Sequence, residues 1–218
     1  MINLKNMSLK TDFVGIRCLI TLVLNNAFIF DLLLKLTCDI KRDLILKEIN
    51  VKESEAILEI ACAIGHLSSS FPQSAYVGID TDEKYIKFAR ERNKDRSFKV
   101  MSAYNLGFEE NYFDYVLVSG FFHHIEDGGI IKVLNECKIV LKKRGKIIIL
   151  EPTYPSSRFS ILKKILCWLD RGRYIRLFKE YSKLFISPYR VEKSYVIPIK
   201  VLGLLRYDLC MFVLSKEE

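Results

Sequence analysis

No stretch of this chain reaches the roughly 20 consecutive apolar residues that a spanning helix requires. The longest uncharged run of its greasy N-terminal part, Cys18 to Phe30, is 13 residues long and contains Asn25 and Asn26. A cleavable leader is disfavoured too, because charged residues flank the run and no small-residue cleavage site follows. Two packed helices split near the asparagine pair fit better, with a membrane-surface role left open. The six cysteines never form a CxxC pair. In a chain of this size they read as reduced, buried thiols of a cytoplasmic protein, and no metal site is expected. Glycine is scarce, with ten residues, and no G-x-G-x-x-G string occurs. Repeats, low-complexity tracts and long linkers are absent, so a single domain is expected. Half of the residues are hydrophobic, which excludes a disordered chain.

Charge is present but unevenly placed. The formal net charge is +8, and residues 155–200 hold 11 Lys+Arg against 3 Asp+Glu. Such a segment faces a phosphate-bearing substrate, a membrane surface or RNA, or is a solvated face without a partner.

The apolar pattern then sets the organisation. Residues 12–49 read as two or three helices, with Asp39 as a cap for the last. AILEIA is a short buried strand, and Gly65 to Phe71 opens a helix. SAYVGID is a second strand, followed by the amphipathic helix TDEKYIKFARERN. FKVMS and YFDYVLVSG are further strands, GGIIKVLNECKIVLKK is a helix, and GKIIILEP is a fifth strand stopped by Pro152. A basic helical stretch runs from Arg158 to about Phe185, broken near Gly172. YRVEKSYVI and YDLCMFVLS then form an antiparallel pair. Alternation of this kind implies a mainly parallel sheet with helices on both faces. Right-handed crossovers place the strand ends at Glu59, Asp80, Ser102, Ser119 and Glu151 on one edge. Ligands of open α/β sheets bind beyond that edge, where the strand order switches.

These residues carry a resemblance. The succession LEIACAIG, YVGIDTDEKYIKFAR, FKVMSAYNLGFEENYFDYVLVSGFFHHIED and LKKRGKIIILEP resembles class I S-adenosylmethionine-dependent methyltransferases of the type 11/12 kind, from Ala56 to the end. The tail, with LDRGRYIR and Tyr181, looks like one bacterial subgroup. The resemblance implies a Rossmann-like α/β fold with a seven-stranded sheet and an antiparallel C-terminal strand. It divides the single domain into N-terminal helices (1–50), a cofactor-binding core (51–154), a basic helical lid (155–187) and C-terminal strands (188–218). It implies S-adenosylmethionine as cofactor, held by Glu59, Ala61, Ala63, Gly65, Asp80, Thr81, Ser102, Ala103, Ser119 and Gly120. Asp80 would accept both ribose hydroxyls as charge-assisted bonds; its structural alternative is a cap for the helix that follows.

Departures from the family pattern concentrate in the first turn. Alanine at 61 and 63 replaces glycine, and the Ala63 methyl either crowds the cofactor or costs roughly 1 kcal/mol if φ is positive. Ser102 replaces a carboxylate beside the adenine. His123 and His124 are the candidate general bases for an oxygen acceptor, with packing or capping as the plain alternative. Glu151, Tyr154, Arg171, Arg176 and Tyr181 are candidate acceptor-binding residues, and an internal Asp170–Arg salt bridge is the structural alternative for the lid. The expected function is methyl transfer to a small-molecule, anionic glycan or lipid-linked acceptor, with peripheral contact at the inner membrane surface left open. A non-catalytic scaffold is the alternative. A nicotinamide oxidoreductase is disfavoured by the missing glycine fingerprint. DNA is not expected as a partner, and RNA is disfavoured because no aromatic-basic binding module is evident.

Overall fold

The computed structural model describes residues 39–155, 167, 172–185, 188–201 and 205–216. The expectations for 12–38, for Arg171 and for most of the lid lie outside the described residues. The chain enters through a helix, α1, over 39–48. Asp39 lies within that helix, 2.9 Å from Arg42, and does not stand before it as a cap. Then follow β1 (Ile57–Ile60), β2 (Tyr76–Asp80), α2 (Glu83–Arg92), β3 (Ser97–Val100), β4 (Phe113–Ser119), α3 (Asp127–Val140) and β5 (Leu141–Tyr154). The last elements are β6 (Arg176–Leu177), α4 (Phe178–Leu184), β7 (Tyr189–Val201) and β8 (Leu205–Lys216).

The strands form one sheet in the order β3-β2-β1-β4-β5-β8-β7, and the two-residue β6 pairs with the end of β5. The strands β1 to β5 are parallel, and β8 runs antiparallel to both β5 and β7. This is the expected mixed sheet with its antiparallel C-terminal strand. The chain winds outward from β1 to β3 and then returns to β4, so the order switches between β1 and β4. A crevice opens at that point beyond the carboxyl ends.

Each central strand is buried on both faces, which is why its sequence reads as a continuous apolar run. Ile147 and Ile149 of β5 face a layer with Val133, Cys137 and Val140 of α3 and Tyr181 of α4. Ile148 and Leu150 face Ile45 of α1 and Ile86 and Ala89 of α2. Burying one such side chain stabilises the fold by roughly 1.5–3 kcal/mol. The described cysteines 62, 137, 167 and 210 are buried thiols outside any disulfide. Among the described residues no helix is long and apolar enough to cross a membrane.

Two local expectations are corrected. Gly65–Phe71 is not a helix; it holds one 3-10 turn at Ser68–Ser70, and a second follows at Gln73–Ala75. Serine is a weaker helix former than alanine or leucine, and Pro72 leaves no length for a helix to nucleate. Pro152 does not stop β5. The ladder with β4 already ends opposite Leu150, so a residue without an N–H breaks no bond on that side. Pro198 is tolerated for a similar reason, since β7 is an edge strand.

Glu59 of β1 faces the α1 and α2 layer, and only 4% of it is exposed. Its carboxylate accepts from the Tyr76 hydroxyl, and Tyr76 packs against Phe71 and Phe98. Burial pushes the Glu59 carboxyl up to about 7, against the downward pull of Tyr76 and Lys41. The folded-state value lies above the ordinary 4.5, so the contribution to stability is complete below pH 4.5 and is lost as pH rises through about 7. The shift corresponds to roughly 3 kcal/mol. Glu59→Gln keeps an acceptor for Tyr76, so its urea stability at about pH 8 should exceed that of the parent. The decline between about pH 5 and pH 8 should flatten; an unchanged decline would exclude Glu59 as its source.

Candidate functional site

Beyond the ends of β1 to β4 lies an open cavity of about 380 Å³, within the size range of small-molecule sites. Its floor is the turn after β1. Ala61 has φ 55°, Ala63 φ 47° and Gly65 φ 71°. Every second residue therefore takes the left-handed conformation that glycine adopts freely and alanine resists by about 1 kcal/mol. The turn is held there by β2. The Cys62 N–H donates to the Ile79 carbonyl at 2.9 Å, and the Ala63 N–H donates to Asp80 Oδ2 at 2.9 Å. Asp80 Oδ1 accepts from the Asp82 N–H at 2.9 Å. The cap of α2 is Asp82, which accepts from Lys84 and Tyr85, and not Asp80. Each Asp80 oxygen retains a further acceptor position. The alanine methyls line the cavity without filling it.

Thr81 and Tyr85 continue the wall on the β2 side, and Met101, Ser102, Ala103 and Tyr104 form it beyond β3. The Ser102 hydroxyl accepts from the Tyr104 N–H at 3.2 Å. Gly120, with φ 70°, leads into Phe121, His124 and Ile125 beyond β4. The site is thus an apolar slot with a carboxylate at one wall and an exposed imidazole at its mouth.

Several predicted site residues lie elsewhere. Glu59, Gly65 and Ser119 are not among the residues lining this cavity. Gly65 is required because a Cβ there would come within 2.6 Å of the Phe98 ring. Glu151 is fully buried and serves the backbone rather than an acceptor. Its Oε1 accepts from the N–H groups of Phe121 and Phe122 at 2.7 and 2.8 Å. Its Oε2 accepts from the His123 N–H at 3.3 Å and from His123 Nδ1 at 2.7 Å. His123 is therefore an anchor of the turn, buried beneath Gly172, where a Cβ would fall 2.0 Å from the ring. His124, whose ring lies 4.1 Å from that of His123, is left as the histidine that faces the cavity.

Arg176 is likewise turned inward. Its Nε donates to Asp127 Oδ1 at 2.7 Å. Its Nη1 donates to the carbonyls of Phe122 and Tyr174 at 3.0 and 2.8 Å. Its Nη2 donates to the Ile125 carbonyl at 2.9 Å and pairs with Asp127 at 2.6 Å. All five donors are engaged within the protein. Tyr181 is buried with its ring 5.6 Å from that guanidinium, and burial drives its phenol far up. Tyr154 ends β5 opposite Leu177 and does not line the cavity. Met101, Tyr104, Tyr85 and Ile125 are lining residues that sequence reasoning did not single out. Their positions one to six residues past strand ends, or in the first turn of α2, were the available signal. Lys41 of α1 also went unrecognised, and its ammonium lies 3.5 Å from where a Cβ on Gly120 would sit.

Two substitutions test this geometry. Ala63→Gly should raise the urea midpoint, by up to about 1 kcal/mol, because it relieves the left-handed strain; a lowered midpoint would contradict the strain. Arg176→Met withdraws its donors from three carbonyls, of which that of Phe122 keeps the Ile125 N–H at 3.4 Å, and should cost about 3 kcal/mol of stability. A change below about 1 kcal/mol would show that this guanidinium does not bolt the turn after β4.

Residues 58–149 match a family model described as a methyltransferase domain. A demethylmenaquinone methyltransferase of Thermotoga maritima is 33% identical over 108 residues, 48% of this chain and 46% of that protein. The demethylmenaquinone methyltransferase of Bacillus subtilis is 25% identical over 159 residues, 66% of this chain and 67% of that protein. The chain spans about half the length of the first curated relatives it matches, 46% and 52%. Among solved structures, the YcgJ protein of Bacillus subtilis superposes with a TM-score of 0.64 at 15% identity, covering 81% of this chain and 98% of that one. The geranyl diphosphate C-methyltransferase of Streptomyces coelicolor reaches 0.64 at 7% identity, covering 82% of this chain and 80% of that one. At these identities the solved structures establish the fold alone. Residues 58–149 thus match a methyltransferase domain, and the strand order with a crevice at its switch point agrees with that match.

Proposed function

We propose that this chain binds S-adenosylmethionine in the cavity beside Asp80 and methylates a small, largely apolar acceptor. The observation that carries the proposal is the turn after β1. Two alanines are held in a glycine-like conformation by hydrogen bonds to β2, and the crevice beside them stays open. The residues present fit the cofactor. Asp80 offers acceptors to ribose hydroxyls, while Ile79, Met101, Ala103 and Ile125 offer apolar surface to an adenine. Ser102 offers one hydroxyl at its edge, a weaker acceptor than a carboxylate. When bound, the cofactor supplies an activated methyl group. The chain's own task is then mainly to align an acceptor and exclude water.

The acceptor class follows from what borders the open end. Phe121 and Tyr104 flank it, and Arg176, the described basic lid residue expected to grip an anion, is committed to backbone carbonyls. A flat, uncharged acceptor fits this better than an anionic glycan. Two of the relatives named above are demethylmenaquinone methyltransferases, which supports a quinone-like acceptor. His124 is placed at the mouth to take a proton from such an acceptor.

Calorimetric titration of the purified chain with S-adenosylhomocysteine should show saturable binding, weakened tenfold or more in Asp80→Asn. Absence of heat at millimolar ligand would favour the non-catalytic scaffold. With labelled S-adenosylmethionine and a short-chain demethylmenaquinone reduced to its quinol, whose ring carbon is nucleophilic and whose hydroxyl gives up the proton, label should enter the ring, about a hundredfold more slowly in His124→Ala. Binding without any transfer to that quinol would remove this acceptor class.

A further inference from the structure

α1 packs its apolar stripe against the sheet. Ile45 and Ile49 are buried, and Ile40 and Leu44 are partly buried beside them. Lys41 stands one turn before Ile45 on that same stripe, where a helix of this kind carries an apolar residue. It is half-buried, and its ammonium lies 3.5 Å from the position a Cβ on Gly120 would take. Gly120 in turn lines the cavity. The lysine therefore reaches over the sheet's carboxyl edge and borders the site through the one residue that has no side chain to intervene.

Its surroundings account for it only in part. The nearby acid is Glu59, whose carboxylate already accepts from Tyr76 and whose burial holds it partly protonated near neutrality. Asp80 is bound to the backbone of Ala63 and Asp82. Among the described residues lining the cavity the only side chain able to carry positive charge is the imidazole of His124. An amino-acid carboxylate entering beside the β1 turn would need a cation from outside that ring of residues.

We infer that Lys41 is a specificity-determining residue that binds the carboxylate of an amino-acid-bearing nucleoside ligand at the Gly120 side of the cavity. The assignment rests on the cofactor reading above. It adds that α1, a segment before the matched domain, completes the site. It makes affinity for the amino-acid part of the ligand separable from affinity for the adenosine part.

Two probes separate those parts: S-adenosylhomocysteine, which carries the carboxylate, and 5′-methylthioadenosine, which lacks the amino-acid group. By titration calorimetry on the full chain, Lys41→Met should weaken S-adenosylhomocysteine about ten- to a hundredfold. It should leave 5′-methylthioadenosine within about twofold. Lys41→Arg should retain most of the affinity, since it keeps the charge. Unchanged binding of S-adenosylhomocysteine to Lys41→Met would overturn the assignment while leaving the cofactor site standing. Equal weakening of both ligands would also overturn it, because Lys41 would then act through the fold. If the parent chain bound neither probe, this assignment and the cofactor reading would fall together.

Discussion

The N–H of Ala63 donates to the carboxylate of Asp80, and the neighbouring Cys62 N–H donates to the last β2 carbonyl but one. Through these two bonds the end of β2 dictates the path of the turn after β1. At its left-handed positions 61 and 63 the turn carries alanine and not the glycine that would enter such a path without strain; of the three left-handed positions Gly65 alone has it. Its left-handed alanines are sustained by the parallel ladder between β1 and β2, whose buried isoleucines and leucine fix both strand ends. Loss of the Asp80 bond would remove one restraint on the left-handed path at Ala63.

A second carboxylate performs the equivalent task on the other side of the crevice. Glu151 gathers the N–H groups after β4 and the His123 ring, while Arg176 gathers the carbonyls of the same turn. Donors and acceptors of one short segment are thus satisfied by two oppositely charged side chains from β5 and β6, as buried backbone requires. His124 faces the cavity because its neighbour is held. Residues that look catalytic by type are here structural by position, and the structural work is what orients the histidine left over.

The basic excess of residues 155–200 has a correspondingly mixed fate. Arg176 is internal, Lys193 meets Glu48 at 2.9 Å and Arg190 lies 3.7 Å from Glu192. The Lys193 and Arg190 pairs are each exposed on the basic side and contribute little to stability. Charge counted along the chain did not distinguish a guanidinium bound to carbonyls from one facing solvent, because both satisfy the same composition.

The sequence by itself determined the class of fold. Runs buried on both faces, spaced by amphipathic helices, admit a parallel sheet, and the carboxyl ends of those runs locate the crevice. Asp80 and Ser102 could be placed at its edge on that basis, since strand-end position follows from local pattern, while Ala61, Ala63, Thr81, Ala103 and Gly120 were implied by the family resemblance and His124 by its position just past β4. Tertiary structure alone decided which side chains enter the cavity. Strand alternation turned Glu59 toward the α1 layer. A four-donor environment claimed Glu151, and four acceptor oxygens claimed Arg176. Lys41 came to the site from a helix remote in sequence from the β4 turn it borders. Side-chain direction at a strand end depends on which hydrogen-bond partners the neighbouring strands present, and those partners meet only after the sheet has closed.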